Sequence, residues 1–208
     1  MKTHNNAFYL ICILSILLFS CSDKDETKIG EQVWMTKNLN VTNFRNGDPI
    51  TEAKTQAEWE NSIQEGKPAW CYYDNNLENG NKYGVLYNFF AITDQRGLAP
   101  SGWRIPDDVD WTELYKYVGN SINLKSTEFW AQDGNGTNNS GFNGRPNGYR
   151  TAGGARFDEQ GLIATWWSSS SSLENKSVSW SFKYYDSGFS NSFGDYGWGY
   201  GVRCIKEK

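Results

Sequence analysis

Residues 98–114 read LAPSGWRIPDDVDWTEL, and the second half of this stretch gives the clearest helix signal in the chain. Asp107 can cap a helix N-terminus, Asp110 follows three residues later, and Pro106 stands just ahead. The apolar residues that follow recur at i, i+3, i+4 and i+7 and so share one helix face: Trp111, Leu114, Tyr115 and Val118. We therefore predict an amphipathic helix that ends at Gly119 and packs its aromatic face into a core.

Another helix is predicted earlier in the chain. Thr55 and Glu58 have the spacing of a capping box, in which each side chain bonds the backbone of the other residue. Gly66 and Pro68 follow, and both residue types commonly end helices. The sequence thus predicts two helices.

Six segments alternate or run apolar over strand length and are predicted as strands: residues 29–35, 38–41, 69–73, 164–168, 177–182 and 199–205. Residues 85–92 are so apolar that periodicity fits a buried strand and a short helix equally. Asn46-Gly47 predicts a hairpin turn, because both residues tolerate positive φ. The polar residues 74–84 and the serines 168–172 predict turns.

The composition favours a core built from aromatic side chains. The chain has 21 Gly, 12 Tyr and 10 Trp, and large aromatic rings can supply the buried area that aliphatic residues usually provide. Residues 133–154 are mostly Gly, Asn, Ser and Thr around Phe142 and Tyr149, which predicts a long ordered loop with aromatic side chains turned inward. Helices early and strands late indicate one α+β domain.

The N-terminus has the pattern of an exported lipoprotein. The apolar residues 7–20 are shorter than the ~20 residues of a membrane-spanning helix and match a signal-peptide core. Residues 18–21, LFSC, resemble a bacterial lipobox, and the charged SDKDE that follows resembles a surface-export signal. We expect a signal peptide at 1–20, a lipidated Cys21 (palmitate-type acyl chains) within a polar tether at 21–28, and one domain at 29–208. Cys21 would anchor the protein to the outer membrane at the cell surface.

Charge and residue counts exclude several functions. Loss of residues 1–20 removes Lys2 from the 20 basic residues and leaves 19 against 24 acidic ones, a net charge of −5. Such a surface gives no reason to expect a nucleic-acid partner. The single histidine, His4, leaves with the same segment, which excludes histidine-based catalysis and histidine-ligated metal sites. We expect no metal and no cofactor.

Two cysteines, Cys71 and Cys204, remain after the lipidated one. A disulfide between them would close a long loop and stabilise the fold. Two separate buried thiols, which behave as small apolar side chains, are the alternative. The sequence leaves both open.

Six blocks in order resemble one known family, the FISUMP domain, which is the major paralogous domain first described in fibrobacter: IGEQVWMTKNLNV, YGVLYNFFAI, LAPSGWRIPDDVDWTEL, NNSGFNGRPNGYR, TWWSSS and YGVRCIK. The resemblance covers residues 29–206. Where the family usually has Cys-Pro before Gly-Trp, this chain has Ala99-Pro100. The resemblance implies a C-type-lectin-like α+β fold: a twisted antiparallel sheet core, two helices, long irregular loops, and neighbouring N- and C-terminal strands.

Three functions follow as hypotheses. The first is a non-catalytic surface module that binds carbohydrate or another extracellular macromolecule through aromatic residues near the C-terminus, which would stack on sugar rings: Tyr184, Tyr185, Phe189, Phe193, Tyr196, Trp198 and Tyr200. The second is a structural or adhesin-type assembly protein without a small ligand, and for each aromatic residue core packing is the alternative role. The third is an enzyme based on the carboxylates of Asp107, Asp108 and Asp110, although a helix N-terminus attracts such residues anyway.

Arg104 and Arg203 lie beside apolar residues in two of these blocks. They could clamp an anionic ligand. We expect them instead to tie loops together through carboxylate or backbone carbonyl partners.

Overall fold

A computed structural model of the chain describes residues 25–173 and 176–207. Cys21 and the predicted signal peptide lie outside the described residues. The described part is an α+β fold, as predicted, made of several small sheets with helices between them. All strand pairs within these sheets are antiparallel except one, β3 with β4.

The strands are short apart from two near the C-terminus. In chain order they are β1 Glu26–Ile29, β2 Gln32–Met35, β3 Thr51–Glu52, β4 Ala69–Cys71, β5 Leu86–Tyr87, β6 Trp103–Arg104, β7 Tyr149–Arg150, β8 Phe157–Asp158, β9 Ile163–Leu173, β10 Lys176–Lys183, β11 Ser190–Asp195 and β12 Ile205–Lys206.

Both predicted helices are confirmed, and the described residues contain two more. The helices are α1 Gln56–Gln64, α2 Leu77–Tyr83, α3 Phe89–Thr93 and α4 Asp108–Val118, with single 3-10 turns at Tyr73–Asn75 and Ser121–Asn123. Thr55 and Asp107 both form the capping boxes that the spacing predicted. Gly119 ends α4 in the left-handed conformation at φ 75°.

A four-stranded sheet joins the two ends of the domain, in the order β1-β2-β12-β6. Ile205 of β12 lies opposite Trp34 of β2 and Arg104 of β6. The N- and C-terminal strands therefore meet, as the family resemblance implied.

The first strand differs from its prediction. Residues 29–35 form a hairpin rather than one strand, because Gly30 has a φ of 60° and reverses the chain between β1 and β2. β1 begins at Glu26, so the last residues expected in the tether, up to Lys28, belong to the sheet. Lys28 lies opposite Val33, and the Glu26 carboxylate pairs with Lys206 Nζ at 2.8 Å.

A three-stranded sheet with the order β11-β10-β9 forms the C-terminal half. The serine run at 168–172, predicted as a turn, instead continues β9. It lacks Gly, Pro, Asn and Asp, and its hydroxyls bond a neighbouring element. Ser170 Oγ accepts from the Asp108 N–H of α4 at 3.0 Å, and the N–H of Ser169 donates to Pro106 O at 2.8 Å.

Aromatic rings build the core between this sheet and α4. Trp111 packs against Trp34 with ring centroids 4.8 Å apart and stacks on Trp166 at 5.9 Å. Phe142, from the long loop, meets Trp166 edge-on at 5.6 Å. The inward aromatic side chain predicted for residues 133–154 is thus confirmed at Phe142, which is fully buried.

One further helix lies in a segment predicted as a turn, and the other lies in a segment for which the sequence left strand and helix open. Residues 74–84 include α2, which begins where the Asn76 side chain accepts from Glu78 N–H at 2.9 Å. The apolar residues 85–92 contain both structures considered for them, β5 and then the start of α3, with Asn88 capping the helix by accepting from Ala91 N–H.

Cys71 and Cys204 are free thiols, both buried, in two different hydrophobic clusters. This arrangement is the second alternative left by the sequence, and the disulfide is not formed. Burial raises the pKa of Cys71 to about 11 and that of Cys204 to about 12, because removal from water disfavours the thiolate.

Candidate functional site

The three-stranded sheet has two faces of different chemistry. In β10, Val178, Trp180 and Phe182 point into the aromatic core. Ser179 and Ser181 alternate with them, and side chains in a strand alternate between the two faces of the sheet. The outer face of β10 therefore carries hydroxyl groups, of which Ser179 is buried opposite Trp167 and Ser181 is half-buried.

A cleft of about 240 Å³ opens on this outer face, and we call it the serine–aromatic cleft. Its lining combines hydroxyl side chains with aromatic rings: Thr165, Ser181, Ser190 and Ser192 on the sheet, Tyr149, Trp198 and Tyr200 beside it, and Ile163 and Lys183 at the strand ends. The pairing of β10 places Ser181 between Thr165 and Ser190, so that three hydroxyl residues lie side by side.

Trp198 is the centre of the aromatic wall. Its ring lies nearly parallel to that of Tyr200, at 5.8 Å and 15°, and Tyr149 meets it edge-on at 5.3 Å. Trp198 is half-buried, so its ring is held in place by its neighbours and remains partly open to solvent. These ring contacts hold the Trp198 ring in one orientation and leave part of its surface open to a ligand.

The two tyrosines keep their protons at physiological pH. Burial raises the pKa of Tyr200 and, to a smaller extent, that of Tyr149, whose pKa the nearby carboxylates of Glu159 and Asp158 raise further. Both phenols are therefore neutral groups that can donate and accept hydrogen bonds.

Thr165 has an unused hydroxyl at the cleft. The side chain is only 4% exposed, and its Oγ1 has no hydrogen-bond partner among the described residues. The backbone of Thr165 is fixed by Asn147, whose Oδ1 accepts from Thr165 N–H and whose Nδ2 donates to Thr165 O, both at 3.0 Å. Buried hydroxyls without partners are uncommon, and this one lines a cleft.

The structure separates the aromatic residues that the sequence grouped together. Trp198 and Tyr200 lie in the serine–aromatic cleft. Phe189 is a core residue that packs on Trp180 at 4.9 Å, which excludes it as a ligand contact. Phe189 is buried because it follows the turn after β10 and packs against Trp111 of α4 at the end of the core.

The other four lie elsewhere on the surface of the sheet and its loops. Tyr196 stacks on Phe89 at 4.7 Å. Tyr184 and Tyr185 contact each other at 5.0 Å, and Tyr185 is 66% exposed. Phe193 is 61% exposed on β11. None of these four lines the serine–aromatic cleft.

The sequence did not identify the polar half of the cleft. Thr165, Ser181, Ser190 and Ser192 are common residue types in positions that have no motif. One signal was available, because serines alternate with Val178, Trp180 and Phe182. That alternation predicts a hydroxyl face, but the cleft also needs Tyr149, which is distant in sequence.

The carboxylate cluster at α4 serves the helix. Asp107 caps it, and Asp108 Oδ1 accepts from the Trp180 indole N–H at 2.7 Å. The Asp110 carboxylate accepts from Nη1 and Nη2 of Arg104 at 2.5 and 2.7 Å. Burial by itself would raise the pKa of Asp110, but hydrogen bonds from Arg104 and Asp107 outweigh it and the pKa is lowered. Arg104 thus has the carboxylate partner expected for a structural arginine.

The described residues contain no group of three or more His, Cys, Asp and Glu side chains that could hold a metal ion. Among the helices in the described part of the chain, none is long and apolar enough to cross a membrane.

Comparison with known proteins identifies one family. The family described as the Fibrobacter succinogenes major domain matches residues 27–206, which is most of the chain. No curated protein and no solved structure gives a match. The chain therefore belongs to the Fibrobacter succinogenes major domain family.

Proposed function

We propose that this protein is a lipid-anchored cell-surface protein whose domain binds carbohydrate, without catalysis, through the serine–aromatic cleft. The observation that supports the proposal most is the combination, in one cleft, of a half-buried tryptophan, a row of hydroxyls and the unpartnered Thr165 hydroxyl.

This combination suits a sugar ring. A pyranose presents an apolar C–H face and a rim of hydroxyl groups, so a good site needs a flat aromatic surface and several neutral donors and acceptors. Trp198 offers the surface, and Ser181, Ser190 and Thr165 offer hydroxyls. The Trp198 indole N–H, which has no partner among the described residues, adds a donor.

The size of the cleft sets limits on the ligand. Its volume of about 240 Å³ is below the ~300–1,000 Å³ of typical enclosed small-molecule sites. A cleft of this size accommodates one ring-sized group and leaves the neighbouring units of a chain in solvent. We therefore expect weak binding to single sugars and stronger apparent binding to polysaccharides that offer many copies.

The anchor rests on the sequence of the N-terminus. Cys21 follows an apolar run and precedes charged residues, and β1 begins at Glu26. An extended chain spans at most ~3.6 Å per residue, so the few residues between Cys21 and β1 would hold the domain close to the membrane that carries it.

The proposal is tested by affinity electrophoresis in gels that contain soluble polysaccharides, with the chain from residue 22 onward. The wild-type domain should be retarded by at least one neutral polysaccharide. Trp198→Ala should reduce its affinity at least about tenfold, in the range expected when a stacking side chain at a binding centre is removed. Tyr117→Ala, on an exposed ring of α4, is the matched control and should bind like the wild type.

Two results would contradict carbohydrate binding at this site. One is the absence of retardation by every polysaccharide in the panel. The other is equal loss of affinity in Trp198→Ala and Tyr117→Ala, with the melting temperatures of both unchanged.

A second candidate function, assembly with other chains, is favoured by β11. This strand is at the edge of its sheet, most of its residues are exposed, and Phe193 projects from it. Exposed edge strands can pair with another chain. Light scattering over a range of concentrations would show dimers that Phe193→Lys abolishes; a monomer at all concentrations would remove this candidate.

A further inference from the structure

A second cleft is lined by several basic residues. It shares no residue with the serine–aromatic cleft. It lies between the segment after β2, the end of α2 and the loop before β7, and has a volume of about 120 Å³. Four basic residues line it, Lys37, Lys82, Arg145 and Arg203, and its lining includes no Asp or Glu. We call it the basic cleft. This concentration of cations is unusual in a chain of net charge −4.

Arg203 lies at the buried end of the basic cleft and is 1% exposed. Its partners are neutral oxygens. Nε and Nη2 donate to Asn38 Oδ1 at 3.0 and 2.7 Å, and Nη1 donates to the carbonyls of Met35 and Phe142. The predicted backbone carbonyl partners are thus present. No carboxylate pairs with this guanidinium among the described residues, and one N–H of Nη2 is unused.

Burial disfavours the charged form of Arg203. Burial, together with the positive charge of Arg145, lowers the pKa of its guanidinium to about 9. The group stays protonated at pH 7. A nearby anion would stabilise the charged form of this guanidinium and offset the repulsion by Arg145.

Arg145 has an unmade hydrogen bond in the same place. Its Nη1 donates to Lys82 O at 2.9 Å and its Nη2 to Glu128 Oε1 at 3.2 Å. Its Nε is buried and has no partner among the described residues. Nearly all buried nitrogen donors in proteins are paired, so this unpaired N–H is an unusual feature of a residue that lines the cleft.

The rim carboxylates do not neutralise the cleft. Glu128 pairs with Arg145, and Asp25 pairs with Lys37 at 3.3 Å. Lys82 and Arg203 have no such partner within the described part of the chain. Two positive charges therefore remain after both ion pairs are counted.

The other fully buried arginine shows what a purely structural arginine looks like in this fold. Arg150 donates to the carbonyls of Ala53, Thr55 and Gly154 and packs against Trp59 at 4.6 Å. Arg150 lines neither the basic cleft nor the serine–aromatic cleft. Burial of the guanidinium is therefore common to both arginines. The unusual feature of Arg203 is that other basic residues line the same cleft.

We propose that the basic cleft binds one compact oxyanion, a carboxylate or sulfate group, which Lys82 and Arg145 contact and the buried charge of Arg203 attracts. The amide side chains of Asn38 and Asn143, which also line the cleft, are neutral groups of the kind that orient such an anion. The small volume admits the charged group and excludes a whole sugar ring. The group could come from a free anion or from an acidic substituent of a polysaccharide.

Isothermal titration calorimetry and NMR titration test this proposal, with sodium sulfate, sodium glucuronate and neutral glucose as probes. Ionic strength is held constant with sodium chloride. Sulfate or glucuronate should bind saturably and glucose should not perturb the cleft. Lys82→Gln should weaken binding about tenfold, because a close charge pair is removed in a partly buried site. Lys116→Gln, which removes an exposed charge on α4, should change nothing.

Lys82 is exposed, so Lys82→Gln should fold with the wild-type melting temperature and its binding defect can be interpreted directly. Arg145→Gln should weaken binding at least as much. The proposal is overturned by the absence of saturable binding of both anions, or by equal effects of Lys82→Gln and Lys116→Gln.

A final arm compares glucuronate with a uronic-acid polysaccharide in Lys82→Gln and Trp198→Ala. If the polymer binds much more tightly than glucuronate, and Lys82→Gln reduces its affinity, an acidic polysaccharide is the source of the anionic group. Equal affinity for monomer and polymer identifies a free anion. Since the two clefts share no residues, failure of this proposal leaves the neutral-sugar proposal untouched, and the reverse also holds.

Discussion

The inner and outer faces of the β11-β10-β9 sheet share one backbone but differ in chemistry. On the inner face, Trp180 lies opposite Trp166, and Phe182 lies opposite Ala164, all within the aromatic core. On the outer face, Ser181 lies between Thr165 and Ser190. Further along this face, Trp167 lies opposite Ser179 and packs on Tyr200 in a second core cluster. Alternation along the strands thus places the aromatic core on one face and leaves the Ser181 end of the other face available for recognition. Neighbouring residues should therefore respond very differently to substitution.

The largest expected effect comes from Phe182→Ala. Phe182 is fully buried and contacts Trp166 at 4.9 Å and Phe189 at 5.3 Å. Loss of a buried phenyl ring typically costs about 3–5 kcal/mol, because the cavity collapses only in part. Urea unfolding measures the change.

Ser181→Ala, one residue earlier on the outer face, is the matched comparison and should change the free energy of unfolding by less than about 1 kcal/mol. Comparable destabilisation by the two substitutions would show that the outer face also carries the fold.

Asp110→Asn tests the helix that covers the inner face. The carboxylate joins Arg104 to the N-terminus of α4, and charged hydrogen bonds of this kind contribute about 1.5–3 kcal/mol. The Asp110 pKa is lower in the folded state, so its contribution is present above the unfolded pKa of ~3.9 and is lost as pH falls through the folded value.

The wild type should therefore exceed Asp110→Asn in stability at pH 7, and the difference should shrink at pH 3. Asp158→Asn, which breaks an ion pair with the exposed Arg156, should cost less than about 1 kcal/mol at either pH. A difference that stays constant with pH would contradict the assignment.

Thr165→Val changes a residue on the outer face and, unlike the substitutions above, should not lower the free energy of unfolding. The valine keeps the shape but removes a buried hydroxyl that has no partner, so the free energy of unfolding should rise by about 1 kcal/mol or stay unchanged. Polysaccharide affinity should fall. Affinity equal to the wild type, with the higher stability, would show that this hydroxyl does not contact the ligand.

The smallest effect is expected from a reducing agent. Cys71 and Cys204 are free and buried, so the melting temperature should be the same with and without dithiothreitol. Thiol reagents should label both cysteines only after unfolding. A lower melting temperature under reducing conditions would show that a disulfide exists.

Much of the fold could be predicted from local signals. Thr55 and Asp107 specify helix starts through side-chain bonds to nearby backbone, and such short-range contacts can be recognised from spacing alone. α2 and the strand formed by serines 168–172 could not, because α2 is rich in Asn and Gly and the serines owe their conformation to a neighbouring strand and to α4.

The site was less predictable for the same reason. Trp198 and Tyr200 were among the predicted residues because aromatic side chains near the C-terminus are conspicuous. Thr165 and Tyr149 reach the cleft through contacts with distant segments: Thr165 pairs with Ser181, and Tyr149 packs on Trp198 beside the Arg150–Gly199 bridge. Phe189 was placed with the binding residues because exposure cannot be inferred from residue type.

The central claim is that the outer face recognises carbohydrate around Trp198. The most direct measurement is an NMR titration of the ¹⁵N-labelled domain with an oligosaccharide of the polymer that retards it, following the tryptophan indole N–H signals. We expect the Trp198 indole signal to shift most, while the signals of the buried Trp34 and Trp166 stay in place. Larger shifts of the core indole signals than of the Trp198 signal would contradict carbohydrate binding at this face.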